Sequence, residues 1–232
     1  IMLLKILPII LPVIIAIITF KFSAKSTIRN LKKSSSKLNE PQLIALIQRM
    51  AKEINLNNIN VYVYKIGQIN GIASPDGKIY LTEGFLNAYY SGKVTASELS
   101  TVVAHELGHL ALGHTKKRII DFSGQTAIRI GLGFILGRFL PGVGLYLANA
   151  LAQLISAKLS RTDEYAADAY AAALLKKSNI GTEPQISLLN KLDYLINSNE
   201  LQQIPWLMSH PSSKDRISEI SKLEQKWTKN IP

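Results

Sequence analysis

His105-Glu106-Leu107-Gly108-His109 lies inside Thr95 to Lys117, a stretch whose apolar spacing predicts one long helix. An α-helix advances about 100° per residue, so residues four apart stand one above the other on the same face. His105 and His109 therefore present two imidazoles one turn apart, which is what two corners of a tetrahedral Zn²⁺ site require. Glu106 is placed beside them to take a proton from a metal-bound water. The chain has only four histidines, and two of them fall in this frame. Thr95 with Glu98 three residues on makes a capping-box pattern at the expected start of the helix.

Two histidines do not hold a catalytic zinc by themselves; a third protein ligand is needed and the fourth position is left for water. His114 follows His109 by five residues, about 140° round a continuing helix, and is expected to point away from the metal as a surface or capping residue. The better candidate is Glu164 in Ser160-Arg161-Thr162-Asp163-Glu164-Tyr165-Ala166-Ala167-Asp168, which would complete a His₂Glu site from a second helix. Asp168, one turn further on the same face, is expected to accept the free ring N–H of a ligating histidine. The small residues Ala166, Ala167, Ala169 and Ala171–Ala173 would let the two helices approach closely. His210 is a candidate donor to the oxyanion formed in hydrolysis, with a structural histidine as the competing reading. Arg216 reads first as a structural ion-pair partner.

Around these motifs the pattern predicts an α+β, mostly helical chain. Helices are expected over Pro41–Leu56, from Glu83, over Arg161–Lys177, Pro184–Asn197 and Ser212–Lys226. Ile59–Lys65, Gln68–Ala73 and Lys78–Thr82 read as strands, the last two joined as a hairpin through Pro75-Asp76-Gly77. Residues 126–157 are apolar, rich in Gly and Ala, and broken at Pro141-Gly142. Each half is short for a bilayer span and the first carries Arg129 and Arg138, so a buried or membrane-apposed helical hairpin is expected.

The 232 residues are enough for one substantial core. The absence of cysteine excludes a disulfide framework and a Cys-ligated zinc site. Residues 1–22 are apolar and read as an N-terminal membrane anchor, with a signal peptide as the rival. Residues 23–40, basic and Ser-rich, read as a linker, leaving 41–232 as the catalytic domain. The first 40 residues carry seven Lys/Arg against Glu40 alone, out of a net charge of +11. That bias points to anionic lipid beside the anchor rather than to nucleic acid, for which no motif is present. Because the cations follow the span, charge bias would put the main body in the cytoplasm.

The H-E-x-x-H at 105–109, the S-R-x-x-E-x-x-A-D at 160–168, and His210-Pro211-Ser212 with Arg216-Ile217 together resemble the M48 family of zinc metallopeptidases. Asn70-Gly71-Ile72-Ala73 leading to Lys78-Ile79-Tyr80-Leu81 is similar to the family's edge strand before the active helix. The resemblance spans about Pro41 to Ile220. It implies a zincin-like gluzincin fold with a small β-sheet before the active-site helix, and one Zn²⁺ per chain held by His105, His109 and Glu164. It also implies Glu106 as general base, and His210 and Arg216 near the site. It further implies protein or peptide substrates, bound extended beside Asn70, Gly71, Ile72 and Ala73. One confident span, where other branches have several, suits the small bacterial branch with a membrane anchor and a domain facing the envelope, which pulls against the charge bias. The alternative kept open is a catalytically idle zinc-containing chaperone or binding module.

Overall fold

The computed structural model describes residues 25–114, 136–197, 210 and 213–229, with isolated positions 14, 18, 22 and 133. The expected anchor or signal peptide at 1–22 thus lies outside the described residues except at three positions, as does most of the first arm of the 126–157 hairpin. Among the described residues, no helix is long and apolar enough to cross a membrane.

Helix α1 (Pro41–Glu53) begins with proline in its first turn, where the missing N–H costs nothing. Its apolar face buries Leu43, Ile47, Met50 and Ala51. Four short strands follow the order β1-β2-β4-β3, with β1 at Ser35–Lys37, β2 at Val61–Tyr64, β3 at Gly71–Ala73 and β4 at Ile79–Thr82. β3 and β4 form the expected antiparallel hairpin, closed by Gly77 N–H donating to Ser74 O with Gly77 at a φ of 80°. β2 and β4 run parallel, and all four residues of β4 are buried because the strand lies inside the sheet.

The stretch 23–40, expected as a linker, carries helix at 25–33 and then strand β1, which pairs antiparallel with β2. Leu31 and Leu38 bury their side chains on either side of it. Two apolar anchors and a free strand edge therefore order a segment whose composition is that of a spacer. β3 is also shorter than the expected Gln68–Ala73.

Helix α2 (Glu83–Tyr90) leads into α3 (Ala96–Ala111), which carries the H-E-x-x-H through the core with every residue from Glu98 to His109 buried. The capping box is formed: Thr95 N–H donates to Glu98 Oε2 at 2.8 Å and Glu98 N–H to Thr95 Oγ1 at 3.2 Å. Glu98 also accepts from Ser187 Oγ (2.6 Å) and Lys191 Nζ (2.9 Å), tying the start of α3 to α5 (Glu183–Asn197). Burial would raise the Glu98 carboxyl, but these partners, Lys191 foremost, hold it below its usual value.

Helix α4 (Gly144–Lys177) is a single helix of 34 residues. Its C-terminal half packs Ala167, Ala171, Ala172, Leu174 and Leu175 into the core. Helix α6 (Ser213–Lys229) closes the domain, burying Ser213, Arg216 and Ile220.

Candidate metal centre

The two motif helices meet where α3 has no side chain to keep them apart. A Cβ on Gly108 would lie 2.9 Å from the Ala167 carbonyl oxygen and 3.1 Å from its Cα, so the glycine inside H-E-x-x-H is what lets α3 lie against the backbone of α4. That contact sets Glu164, three residues before Ala167, over the two histidines. Glu164 Oε2 is 3.4 Å from His105 Nε2, and its Oε1 is 3.3 Å from His109 Nε2. The two Nε2 atoms are 3.1 Å apart. His210, brought in just before α6, places Nδ1 2.6 Å from Glu164 Oε2 and 3.3 Å from His105 Nε2. One ligand atom from each of His105, His109, Glu164 and His210 lies within 4.8 Å of the others, and all four residues are buried.

The chemistry of this donor set fits a divalent cation. His105 Nδ1 is 2.9 Å from Asp168 Oδ1, which takes the N–H on that side and leaves the Nε2 lone pair facing inward. Lone pairs of two imidazoles and a carboxylate thus converge on one small buried volume, where they repel unless positive charge stands among them. Burial would favour neutral His105, yet Asp168, with Glu164, outweighs it and raises the pKa to about 9. Burial would raise Glu164, but the surrounding imidazoles hold it far below the carboxylate range. Two imidazoles and a carboxylate suit zinc best among the common divalent ions.

Glu106 sits beside this cluster, 2% exposed, and its Oε1 makes no hydrogen bond among the described residues. His210 Nε2 is 3.5 Å away from that oxygen. A buried carboxylate oxygen left without a donor is costly in a structural role and normal in a group that handles protons. Strand β3 lies directly on it: a Cβ at Gly71 would be 2.7 Å from Val102 Cγ1 and 3.2 Å from Glu106 Oε1. Of the four expected substrate-strand residues, Gly71, Ile72 and Ala73 form the sheet edge, while Asn70 precedes it with its N–H donating to Thr82 Oγ1 at 2.9 Å.

Asp168 and Arg216 form the support behind His105. Arg216, 1% exposed, donates through Nε to Asp168 Oδ2 at 2.6 Å and through Nη2 to Oδ1 at 2.8 Å. This two-point pairing and His105 hold the Asp168 carboxyl well below its usual range against the opposing effect of burial. Gln185 Nε2 donates to the same Oδ1 at 3.3 Å, a partner without a local sequence signal.

His114 is where the structure departs from the expectation of a surface or capping residue. It is buried, with Nδ1 3.0 Å from His109 Nδ1 and Nε2 3.6 Å from Asp163 Oδ1. The cause is the end of α3. The helix stops at Ala111, not Lys117, and Gly113 takes a φ of 72°, so the chain turns back and carries His114 behind His109. Both metal-facing histidines are therefore held from the rear, His105 by Asp168 and His109 by His114 with Asp163 beyond.

The sequence model of peptidase family M48 matches residues 37–224. The metalloprotease LoiP of Escherichia coli K12 is 28% identical over 77% of this chain and 68% of its own length. The metalloprotease YcaL of the same organism is 26% identical over 77% of this chain and 67% of its own. A protease HtpX homolog of Acaryochloris marina is 28% identical over 80% of this chain and 73% of its own.

Proposed function

This chain belongs to peptidase family M48, and on that footing we propose that it is a zinc-dependent endopeptidase using His105, His109 and Glu164 as ligands and Glu106 as general base. The observation that carries the reading is the convergence of the inward-facing Nε2 atoms and the Glu164 carboxylate beside a buried Glu106 oxygen that makes no hydrogen bond among the described residues. The chemistry a zinc ion supplies at such a site is Lewis acidity, lowering the pKa of a water toward about 7 and polarising a carbonyl.

The residues of the chain do the rest. Glu106 accepts the proton of the water that adds to the scissile carbonyl carbon, then delivers it to the departing amine nitrogen as the C–N bond breaks. With His105, His109 and Glu164 as the residues that would hold the metal, His210 would act from outside that set, donating toward the oxyanion once its ring leaves Glu164. Asp168 fixes the tautomer and orientation of His105, and Arg216 fixes Asp168. A peptide laid extended along the free edge of β3 is held mainly by its backbone, with Gly71 keeping that edge close to Glu106. Backbone reading suits unfolded or misfolded protein substrates at a membrane to which the N-terminal segment anchors the domain.

Glu106→Gln keeps shape and hydrogen bonding but cannot hold a proton. It is expected to retain stoichiometric zinc and lose casein cleavage by on the order of 10³-fold. Chelation of the wild-type protein should abolish cleavage and added zinc should restore it. Cleavage retained by the Gln variant refutes the base assignment, and a purified protein with no stoichiometric metal refutes the enzyme reading altogether.

A further inference from the structure

Among the described residues, a cluster of exposed apolar side chains lies far from the metal centre, at the beginning of α4. Phe139 is 74% exposed, Val143 57% and Tyr146 77%, and Leu140, Leu147 and Leu151 are exposed as well. They surround one turn, Leu140 to Gly144, in which Gly144 N–H donates to Leu140 O at 2.8 Å. The turn is tight because Gly144 packs on the backbone of Leu136 and Gly137, where any Cβ would collide. The result is a capped apolar tip, not a frayed end. A cluster of large apolar side chains facing water on a folded domain marks a surface with a partner.

The distribution of charge identifies the partner. Of the 27 Lys/Arg, seven fall in residues 1–39 and four in 122–162, and neither stretch contains Asp or Glu. The sixteen that remain are matched one for one by all 16 acidic residues of the chain. The net charge of +11 thus falls within the apolar 1–22 with the basic segment that follows it and within the apolar 122–162, and the remaining residues sum to zero. Cation and hydrocarbon together, with acid excluded, is the composition that an anionic bilayer selects, because the rings enter the interface while Arg and Lys meet the headgroups. Arg138, exposed, adjoins Phe139 at the tip, whereas Arg161, also exposed, stands further along α4 toward the metal centre. A second copy of the chain is a poor occupant by the same count, since pairing tip to tip would gather like charges with no acid within 122–162 to answer them.

We propose that the tip formed by Phe139, Leu140, Val143, Tyr146 and Leu147 seats in an anionic lipid surface, a second membrane contact separate from the N-terminal segment. Tyr146 and Glu164 are eighteen residues apart on one continuous helix, about 27 Å at 1.5 Å per residue. Two contacts with one bilayer fix the orientation of the domain, and the helix holds the metal centre at a set height above the lipid.

The full chain contains no cysteine, so a single engineered thiol reports one place. Tyr146→Cys carrying a nitrobenzoxadiazole label is mixed with vesicles of equal parts phosphatidylglycerol and phosphatidylcholine. Phe139→Cys serves as a second reporter, and Gln225→Cys, exposed on α6, as the remote control. The two tip labels should shift to the blue and be quenched several-fold by nitroxide-bearing lipid. The effect should be weaker on pure phosphatidylcholine and should fall with added salt. The Gln225 label should stay unchanged. Vesicle-bound protein whose tip labels remain in water overturns the proposal. So does an equal response on neutral vesicles, or a blue shift that follows protein concentration without lipid, which would make a second copy the occupant.

Discussion

Helix α4 has two halves that invert the usual relation between chemistry and burial. From Asp163 onward it carries carboxylates, and Asp163, Glu164 and Asp168 are all within the protein. Near its start it carries Tyr146, Leu147 and Leu151, and all three face out. Hydrophobicity by itself sorts neither half. The acidic half is buried because each carboxylate meets donors: imidazoles at Glu164, a guanidinium at Asp168, and His114 near Asp163. The apolar half is exposed because no other element of the described fold extends to cover it. On the two proposals above, the buried half answers to an ion and the exposed half to a lipid surface.

The largest effect should come from breaking the acidic half. Asp168→Ala leaves Arg216, 1% exposed, without its two strongest hydrogen bonds. Removing one member of a buried ion pair costs about 3–5 kcal/mol, because the remaining charge is stranded. Urea unfolding of the metal-free protein should show that loss. His105 also loses the acceptor for its Nδ1–H, so zinc affinity should fall about 10–100-fold by competition with a chromophoric chelator. A variant with unchanged stability would mean that water reaches Arg216 in solution and that the acidic half is less sealed than its contacts imply.

Much of this half is written in local pattern. Histidines four apart on a helix, a carboxylate on a second helix and an acid one turn beyond it follow from the 3.6-residue period, and the capping box follows from Thr95 and Glu98. The hairpin of β3 and β4 follows from Pro75-Asp76-Gly77. What escaped has a physical reason in each case. The expectation of an exposed His114 carries the phase of α3 past its end, although Gly113 is the residue type that ends helices with a positive φ. β1 is three residues of Ser and Lys whose strand identity comes from an edge it pairs with, not from its own propensity. The parallel pairing of β2 with β4 and the approach of Gln185 to Asp168 are tertiary and leave no periodic trace. The exposure of the tip depends on which elements fail to reach it, which no pattern within residues 139–151 can say.

An intermediate effect sharpens the comparison within the metal centre. His114→Ala removes the nitrogen 3.0 Å behind His109 Nδ1 and leaves the ligand set itself intact. Loss of a partner that orients a metal-binding histidine costs about 10-fold or more in metal affinity. The expected result is weaker zinc binding with an altered visible spectrum of the Co²⁺-substituted protein, and His114→Asn, which offers an acceptor again, should recover part of it. Equal zinc affinity in the Ala variant would leave His109 oriented by packing alone, and the symmetry between the two histidines would be lost.

The smallest effect is expected at the exposed half, and its smallness is the point. Phe139→Ser together with Tyr146→Ser removes two aromatic rings, a change that inside a core would cost about 3–5 kcal/mol for each ring. Both positions are helical, and serine has nearly the same helix propensity as phenylalanine and tyrosine. With the rings 74% and 77% exposed, little burial is lost on substitution. Urea unfolding without lipid should therefore move by no more than about 0.5 kcal/mol, with an unchanged slope. A loss of several kcal/mol would mean that the rings are covered by protein in solution, and the two halves of α4 would then differ only in which part of the same chain they bury against.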